Sequence, residues 1–203
     1  MRTIDLFAAA LLAFTGTASA LEPAKVDYSA DSYMETAEGV MKGRVYVSPG
    51  KERREFSEGG EQMVMIIRQD KKTAWMLMPE DEMYMELKME GDGRKDDLTR
   101  YKIEQSEVGK EKVNGVDTVK NKIVMTGPKG EKLGGFWWIT KDNIVVKMDA
   151  ISIDKKDKDR FKIELKNLKV GKVDSKLFEI PKGYEKMSMG GIGDLMRGAD
   201  GDE

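Results

Sequence analysis

Three short stretches in the first half of the chain decide the fold: QMVMIIR (residues 62–68), TAWMLM (residues 73–78) and MYMELK (residues 83–88). In each, methionines stand two positions apart, and residues i and i+2 of a β-strand point to the same face. If the stretches are neighbours in one antiparallel sheet, six thioethers line one surface: Met63, Met65, Met76, Met78, Met83 and Met85. Methionine is unbranched and polarizable, so this surface suits a ligand of imprecise shape. Ordinary core packing is the competing interpretation.

The first two stretches are apolar on both faces of the predicted strand. A strand in a sheet with one solvated face should alternate apolar with polar residues. Both faces of these two strands should therefore be covered, either by other parts of the protein or by a ligand. We predict Trp75, in the second stretch, and Trp138, in the strand expected at residues 132–139, as further lining residues. A position in the core is an equally good interpretation of each tryptophan.

The same alternation continues along the chain, interrupted by Gly, Pro, Asn and Asp turns every 8–12 residues or so, which is typical of consecutive hairpins. A charged, glycine-containing loop is expected at residues 90–100, and Asp174 is expected to cap one short helix. We predict a mainly β, antiparallel meander of about eleven strands with little helix. The predicted strands are residues 28–36, 40–48, 53–58, 62–68, 73–78, 83–88, 101–108, 116–126, 132–139, 144–153 and 160–170.

The N-terminal twenty residues have the pattern of an export signal. Arg2 precedes an apolar stretch from Leu6 to Phe14, and the sequence Ala18-Ser19-Ala20 matches a signal-peptidase site. We expect cleavage after Ala20 and a location in a bacterial periplasm. The expected organisation is a signal peptide (1–20), one β domain (21–186) and a flexible, Gly-, Met- and acid-containing tail (187–203).

The composition excludes several functional classes. The chain has no histidine and no cysteine, so Ser-His-Asp and Cys-His catalysis, disulfides and the usual zinc ligand sets are excluded. The 37 acidic residues nearly balance the 35 Lys and Arg, which does not favour nucleic acid as a partner. We predict a protein that is not an enzyme and uses no cofactor or metal. Two alternatives stay open: carboxylate-pair hydrolysis, and Cu(I) binding by some of the 15 methionines.

The chain resembles a known family in four segments: residues 43–56 (GRVYVSPGKERREF), 70–79 (DKKTAWMLMP), 108–115 (VGKEKVNG) and 177–184 (LFEIPKGY). A glycine-started strand, a proline turn, an arginine-bearing strand, an aspartate turn, a tryptophan and a proline occur in the order found in the periplasmic lipoprotein carriers of LolA and LolB type. Within that superfamily the chain is similar to an uncharacterised branch of domains of unknown function, described as outer-membrane lipoprotein-sorting proteins.

This resemblance implies an open, strongly curved antiparallel sheet, a half barrel whose concave face and covering helices form a cavity for acyl chains. It also implies that Arg53 or Arg54 corresponds to the family arginine that helps hold the lid. The chain departs from the carriers at residues 21–27, which are too short to supply their N-terminal helix. That departure puts lid closure in doubt.

The leading hypothesis is a periplasmic binding protein or carrier for lipid or lipoprotein acyl chains, held on the concave apolar face. The rival from a different class is an envelope protein-interaction or sensor module on the same fold, in peripheral contact with membrane proteins. Methionine-based Cu(I) binding is third.

Overall fold

The computed structural model describes residues 17–19, 22–37, 39–58, 60–89, 101–154 and 159–187. The rest of the predicted signal peptide, the predicted loop at 90–100 and the predicted tail from residue 188 onward lie outside the described residues. Within the described residues, no helix is both long and apolar enough to cross a membrane.

The described chain forms one sheet of 13 strands. Eleven of them, β2 to β12, correspond one to one with the predicted strands, so the predicted mainly β fold is confirmed. The strands are β1 (Thr17–Ser19), β2 (Tyr28–Thr36), β3 (Gly39–Ser48), β4 (Lys51–Glu58), β5 (Glu61–Arg68), β6 (Thr73–Met78), β7 (Met83–Lys88), β8 (Lys102–Val113), β9 (Val116–Thr126), β10 (Lys132–Ile139), β11 (Val145–Ser152), β12 (Arg160–Val170) and β13 (Glu185–Lys186).

The strand order is β1-β8-β9-β10-β11-β12-β2-β3-β4-β5-β6-β7-β13, so two meanders join where β12 pairs with β2. Every pairing is antiparallel except that of β7 with the two-residue β13. The order ends at β1 and β13 without closing, which makes the sheet open in the described part of the chain.

The largest difference in strand length is at β8. The prediction ended this strand at Val108, but β8 continues to Val113 because a register shift between Glu107 and Gly109 absorbs the irregularity. The predicted short helix is a single 3₁₀ turn, Ser175–Phe178, and the Asp174 side chain accepts a hydrogen bond from the Lys176 backbone N–H at 2.9 Å.

The sheet curls so that the tip of the β8–β9 hairpin reaches β12. The Asn114 side-chain amide donates to the Leu165 carbonyl oxygen at 2.8 Å, and Val113 joins a core cluster with Ala30 and Leu165. The hairpin tip therefore lies over the face that carries Ala30 and Leu165, and the sheet is curved toward that face.

The two halves of the sheet bury opposite faces. In β8 to β12 the core lies on the face toward which the sheet curves, and it includes Ile123, Met125 and Met148. In β5 and β6 the core lies on the other face, where Ile66 and Leu77 pack against Phe178. We call residues Val173–Tyr184, which cover this second core, the C-terminal strap.

Candidate functional site

Strand register brings the six predicted methionines onto one face. Met65 is directly opposite Met76, Met76 is opposite Met85, and Met78 is opposite Met83. Met63 lies two residues before Met65 and therefore points to the same side. The predicted clustering of the three pairs on one surface is confirmed by these pairings. Whether the surface binds a ligand stays a prediction.

This surface, which we call the methionine face, extends across six strands. One straight cross-strand row runs from β2 to β7 and consists of Ala30, Val45, Arg54, Met65, Met76 and Met85. We call it the arginine row, because Arg54 is its single charged member. The methionine face is also the face toward which the sheet curves, since Ala30 belongs to both.

The methionine face changes in exposure along the arginine row. Ala30, Val45 and Met65 are buried, whereas Met76 and Met85 are half-buried. None of the six methionines belongs to the three core clusters of the described residues. The β5–β7 half already has a core under the C-terminal strap, so its methionine face is apolar without contributing to those clusters.

A small polar cluster lies within the methionine face. Arg54 Nε donates to a carboxylate oxygen of Glu52, which occupies the next cross-strand row together with Tyr28. The Glu52 carboxylate raises the pKa of the Arg54 guanidinium, so Arg54 stays charged. Burial, with a smaller effect of Glu52, raises the pKa of the Tyr28 hydroxyl above its ordinary value.

The two predicted lid or structural arginines point to opposite faces. Arg54 is opposite Met65 on the methionine face, whereas Arg53 is opposite Ile66 on the strap side. Arg53 donates to the Leu177 carbonyl oxygen at 3.2 Å and to Glu55 at 2.8 Å. Arg53 therefore holds the C-terminal strap, and Arg54 faces the candidate site.

The structure places both predicted tryptophans in core clusters and corrects the predicted face of Trp75. Trp75 is opposite Ile66 and is buried in the core beneath the C-terminal strap. Trp138 is opposite Lys147, whose ammonium lies 4.5 Å from the indole ring, and its Nε1 donates to Glu111 at 2.8 Å. Trp75 neighbours Met76 in the chain and therefore points away from the methionine face. Trp138 is 5% exposed, lies next to a register shift and belongs to the core cluster that contains Ala30 and Val45, so its role as a lining residue stays a prediction.

Sequence reasoning missed Arg68, which is 4% exposed at the end of β5. Its guanidinium donates to Asp70 at 2.8 and 2.7 Å, to the Phe178 carbonyl oxygen at 3.0 Å and to Glu179. The alternation of Val64, Ile66 and Arg68 indicates a charge on the core side of β5, and a buried charge needs partners. This signal was available in the sequence, although the partners on the strap were not.

A shallow depression opens on the methionine face next to Arg54. Its lining includes the apolar side chains of Met34, Met41 and Phe56. Arg54 is its charged residue on this face. Lys42, Arg44 and Glu55 also border the depression, but they alternate with Met41, Gly43 and Phe56 and belong to the opposite face, where Arg44 pairs with Asp31 at 3.0 Å. Among the described residues, no cluster of three or more Asp and Glu side chains could hold a metal ion.

The fold and this face define a class: an open, curved antiparallel-sheet domain with one apolar face. The chain belongs to the family described as a domain of unknown function, DUF4412, whose model matches residues 32–148. The match agrees with the expectation of a domain of unknown function, while the predicted place in the LolA and LolB superfamily and its lipoprotein-sorting branch stays a prediction. No curated protein matches the chain in sequence.

Solved structures with a similar fold include an uncharacterized conserved protein from Thermus thermophilus. It is 15% identical, with a TM-score of 0.54, and the match covers 80% of this chain and 90% of that protein. This likeness shows the fold alone.

Two weaker similarities are to MucB in the Pseudomonas aeruginosa MucA/MucB complex and to a putative outer membrane lipoprotein-sorting protein domain from Vibrio parahaemolyticus. The first is 12% identical with a TM-score of 0.44 and covers 74% of this chain and 54% of that one. The second is 10% identical with a TM-score of 0.34 and covers 77% and 91%. Both TM-scores are too low to establish a shared fold.

Proposed function

We propose that this chain is a periplasmic, non-enzymatic binding protein or carrier for the acyl chains of lipids or lipoproteins, which lie on the methionine face. The observation that carries the proposal is the register of β5, β6 and β7, which gathers six methionines on one face while the opposite face forms the local core. Each acyl methylene buried there would contribute about 0.8 kcal/mol. A chain of ordinary length would therefore bind without a specific polar contact.

The direct test is native mass spectrometry of the protein purified from the periplasm, followed by uptake of a fluorescent fatty acid. Bound lipid or saturable uptake would support the proposal. A protein that is always free of lipid and takes up no fatty acid would refute it.

A matched pair of variants on β7 locates the binding surface. Met85→Glu places a charge on the methionine face, whereas Lys88→Glu changes an exposed residue on the opposite face of the same strand. We expect Met85→Glu to abolish uptake and Lys88→Glu to leave it unchanged, with circular dichroism confirming that both variants fold. Equal uptake by both variants would show that the ligand does not bind on the methionine face.

Cu(I) binding is a second candidate, because the same register places thioethers in adjacent positions and soft ligands select Cu(I). Replacing Met76 and Met85 by leucine separates the two functions. Leucine keeps the apolar volume and removes the sulfur, so the double variant should retain fatty-acid uptake. A Cu(I) titration of the lipid-free protein against a competing chelator would detect metal binding, and the double variant would lose it.

An envelope protein-interaction module is favoured by the two sheet edges. Among the described residues, β8 has only the three-residue β1 on its outer side, and β7 has only the two-residue β13. Extended peptides add to such edges through main-chain hydrogen bonds. Photo-crosslinking in cells from Val108, which is 56% exposed, and from Met85 would discriminate the functions. A carrier captures many acylated proteins at Met85, and an interaction module captures one protein at Val108.

A further inference from the structure

Arg54 is the only charge in a row of apolar side chains. Its neighbours in the arginine row are Val45 on one side and Met65 on the other, and Met76 and Met85 continue the row. Three strand spacings separate Arg54 from Met85, which is a distance of about 14 Å across the sheet. The row thus places one cation directly beside the apolar stretch formed by Met65, Met76 and Met85.

The Arg54 side chain is partly exposed. It keeps 42% of its surface exposed, and among the described residues its one side-chain hydrogen bond runs from Nε to Glu52. Guanidinium carries five N–H donors in a planar fork that matches a carboxylate. The outer nitrogens, Nη1 and Nη2, can therefore donate to a second anion beside the depression.

The charges around Arg54 favour a ligand with one negative charge. Glu52 already neutralises part of the guanidinium, and the other charged residues at the depression, Lys42, Arg44 and Glu55, alternate with methionine-face residues and belong to the opposite face. A monoanion adds a single negative charge beside the Arg54–Glu52 pair, whereas a dianionic phosphate would add two next to Glu52.

We propose that the methionine face binds a long-chain fatty acid whose carboxylate accepts hydrogen bonds from Arg54 and whose acyl chain follows Met65, Met76 and Met85. This inference rests on the proposed function and narrows it, because an acyl chain attached to a lipoprotein through an ester or amide has no free carboxylate. Arg54 thus selects a ligand with a carboxylate head group, and the methionines contact the acyl chain of that ligand.

The test compares palmitate with hexadecanol, which has the same chain and a neutral head. Each competes with the fluorescent dye N-phenyl-1-naphthylamine on delipidated protein and on the variants Arg54→Gln and Arg54→Lys. The matched control is Arg53→Gln, which removes a neighbouring arginine on the opposite face. A charge-assisted hydrogen bond predicts that the wild type prefers palmitate by about tenfold or more.

We expect Arg54→Gln to remove the preference by weakening palmitate alone, Arg54→Lys to keep part of it, and Arg53→Gln to keep all of it. Equal affinity of the wild type for both ligands, or a preference that survives in Arg54→Gln, would overturn the inference and leave the proposed function standing. Binding of neither ligand would refute the proposed function itself. If Arg54→Gln does not fold, two measurements still test the inference: the preference of the wild type for palmitate over hexadecanol, and the smaller preference expected of Arg54→Lys.

Discussion

At the scale of the residue, three arginines of neighbouring strands have three different surroundings. Arg54 points into the methionine face, Arg53 holds the Leu177 carbonyl, and Arg68 is buried among Asp70, Glu179 and the Phe178 carbonyl. Alternation explains the difference between Arg53 and Arg54, because adjacent residues of a strand face opposite sides. The same residue type therefore lies on the methionine face in one place and in the core in another.

Arg68→Met should lower the free energy of unfolding by about 1–3 kcal/mol. It removes the buried guanidinium whose hydrogen bonds join the end of β5 to the C-terminal strap. Urea denaturation measures the change. Lys71→Met is the control: this lysine also pairs with Glu179, at 3.0 Å, but is 45% exposed, so its loss should cost less than about 1 kcal/mol. A cost for Arg68→Met no larger than the control would contradict a structural role for the buried arginine.

Acid should weaken the same network. Hydrogen bonds from Arg68 hold the pKa of Asp70 at about 2, against an ordinary value of 3.8, and hydrogen bonds from Lys71 and Arg68 outweigh burial in lowering the pKa of Glu179. Groups with a depressed folded-state pKa stabilise the protein above their unfolded pKa, and this contribution is lost as the pH falls through the folded-state value.

The free energy of unfolding should therefore decrease between about pH 4 and pH 2, and Asp70→Asn should make this decrease shallower. Urea midpoints measured across that range for the wild type and the variant provide the comparison. Parallel curves would show that Asp70 does not titrate differently in the folded and unfolded states.

At the scale of the element, close strand pairing depends on particular glycines. A Cβ added to Gly43 would lie 1.8 Å from the Glu55 carbonyl oxygen, which is backbone and cannot move without disturbing the β3–β4 pair. At Gly134 the nearest atom would be Cγ2 of Ile153, at 3.0 Å, on a side chain that is 48% exposed. The two glycines therefore tolerate a methyl group to different degrees.

Gly43→Ala should lower the free energy of unfolding by about 1–3 kcal/mol because the new methyl group overpacks the backbone of β4. Gly134→Ala should cost clearly less, because the Ile153 side chain can move aside. Thermal unfolding of the two variants side by side checks the order. A reversed order would show that β4 adjusts more readily than its pairing suggests.

At the scale of the whole molecule, one sheet supports two cores on opposite faces. The β8–β12 half buries the methionine-face side around Met125 and Met148, and the β5–β7 half buries the other side under Phe178. The methionine face of β5 to β7 thereby lies outside both of these cores. The C-terminal strap is the element that permits this arrangement.

Phe178→Ala should cost about 3–5 kcal/mol, since Phe178 is 1% exposed at the centre of the strap-side core. Amide hydrogen exchange should show lost protection in β5 and β6 and retained protection in β9 and β10. Leu177→Ala, at a half-buried neighbouring position, is the control with a smaller effect. An equal loss of protection in both halves would show that the two cores unfold as one unit.

The sequence by itself determined the strands and which neighbours share a face, because both follow from local alternation and turn residues. It even contained the correction to Trp75, whose adjacency to Met76 puts the two on opposite faces. Only the tertiary structure decided that Met65, Met76 and Met85 align with Arg54, since pairing register joins residues distant in the chain. It also decided which face of each half is buried, because that depends on where the strap residue Phe178 packs.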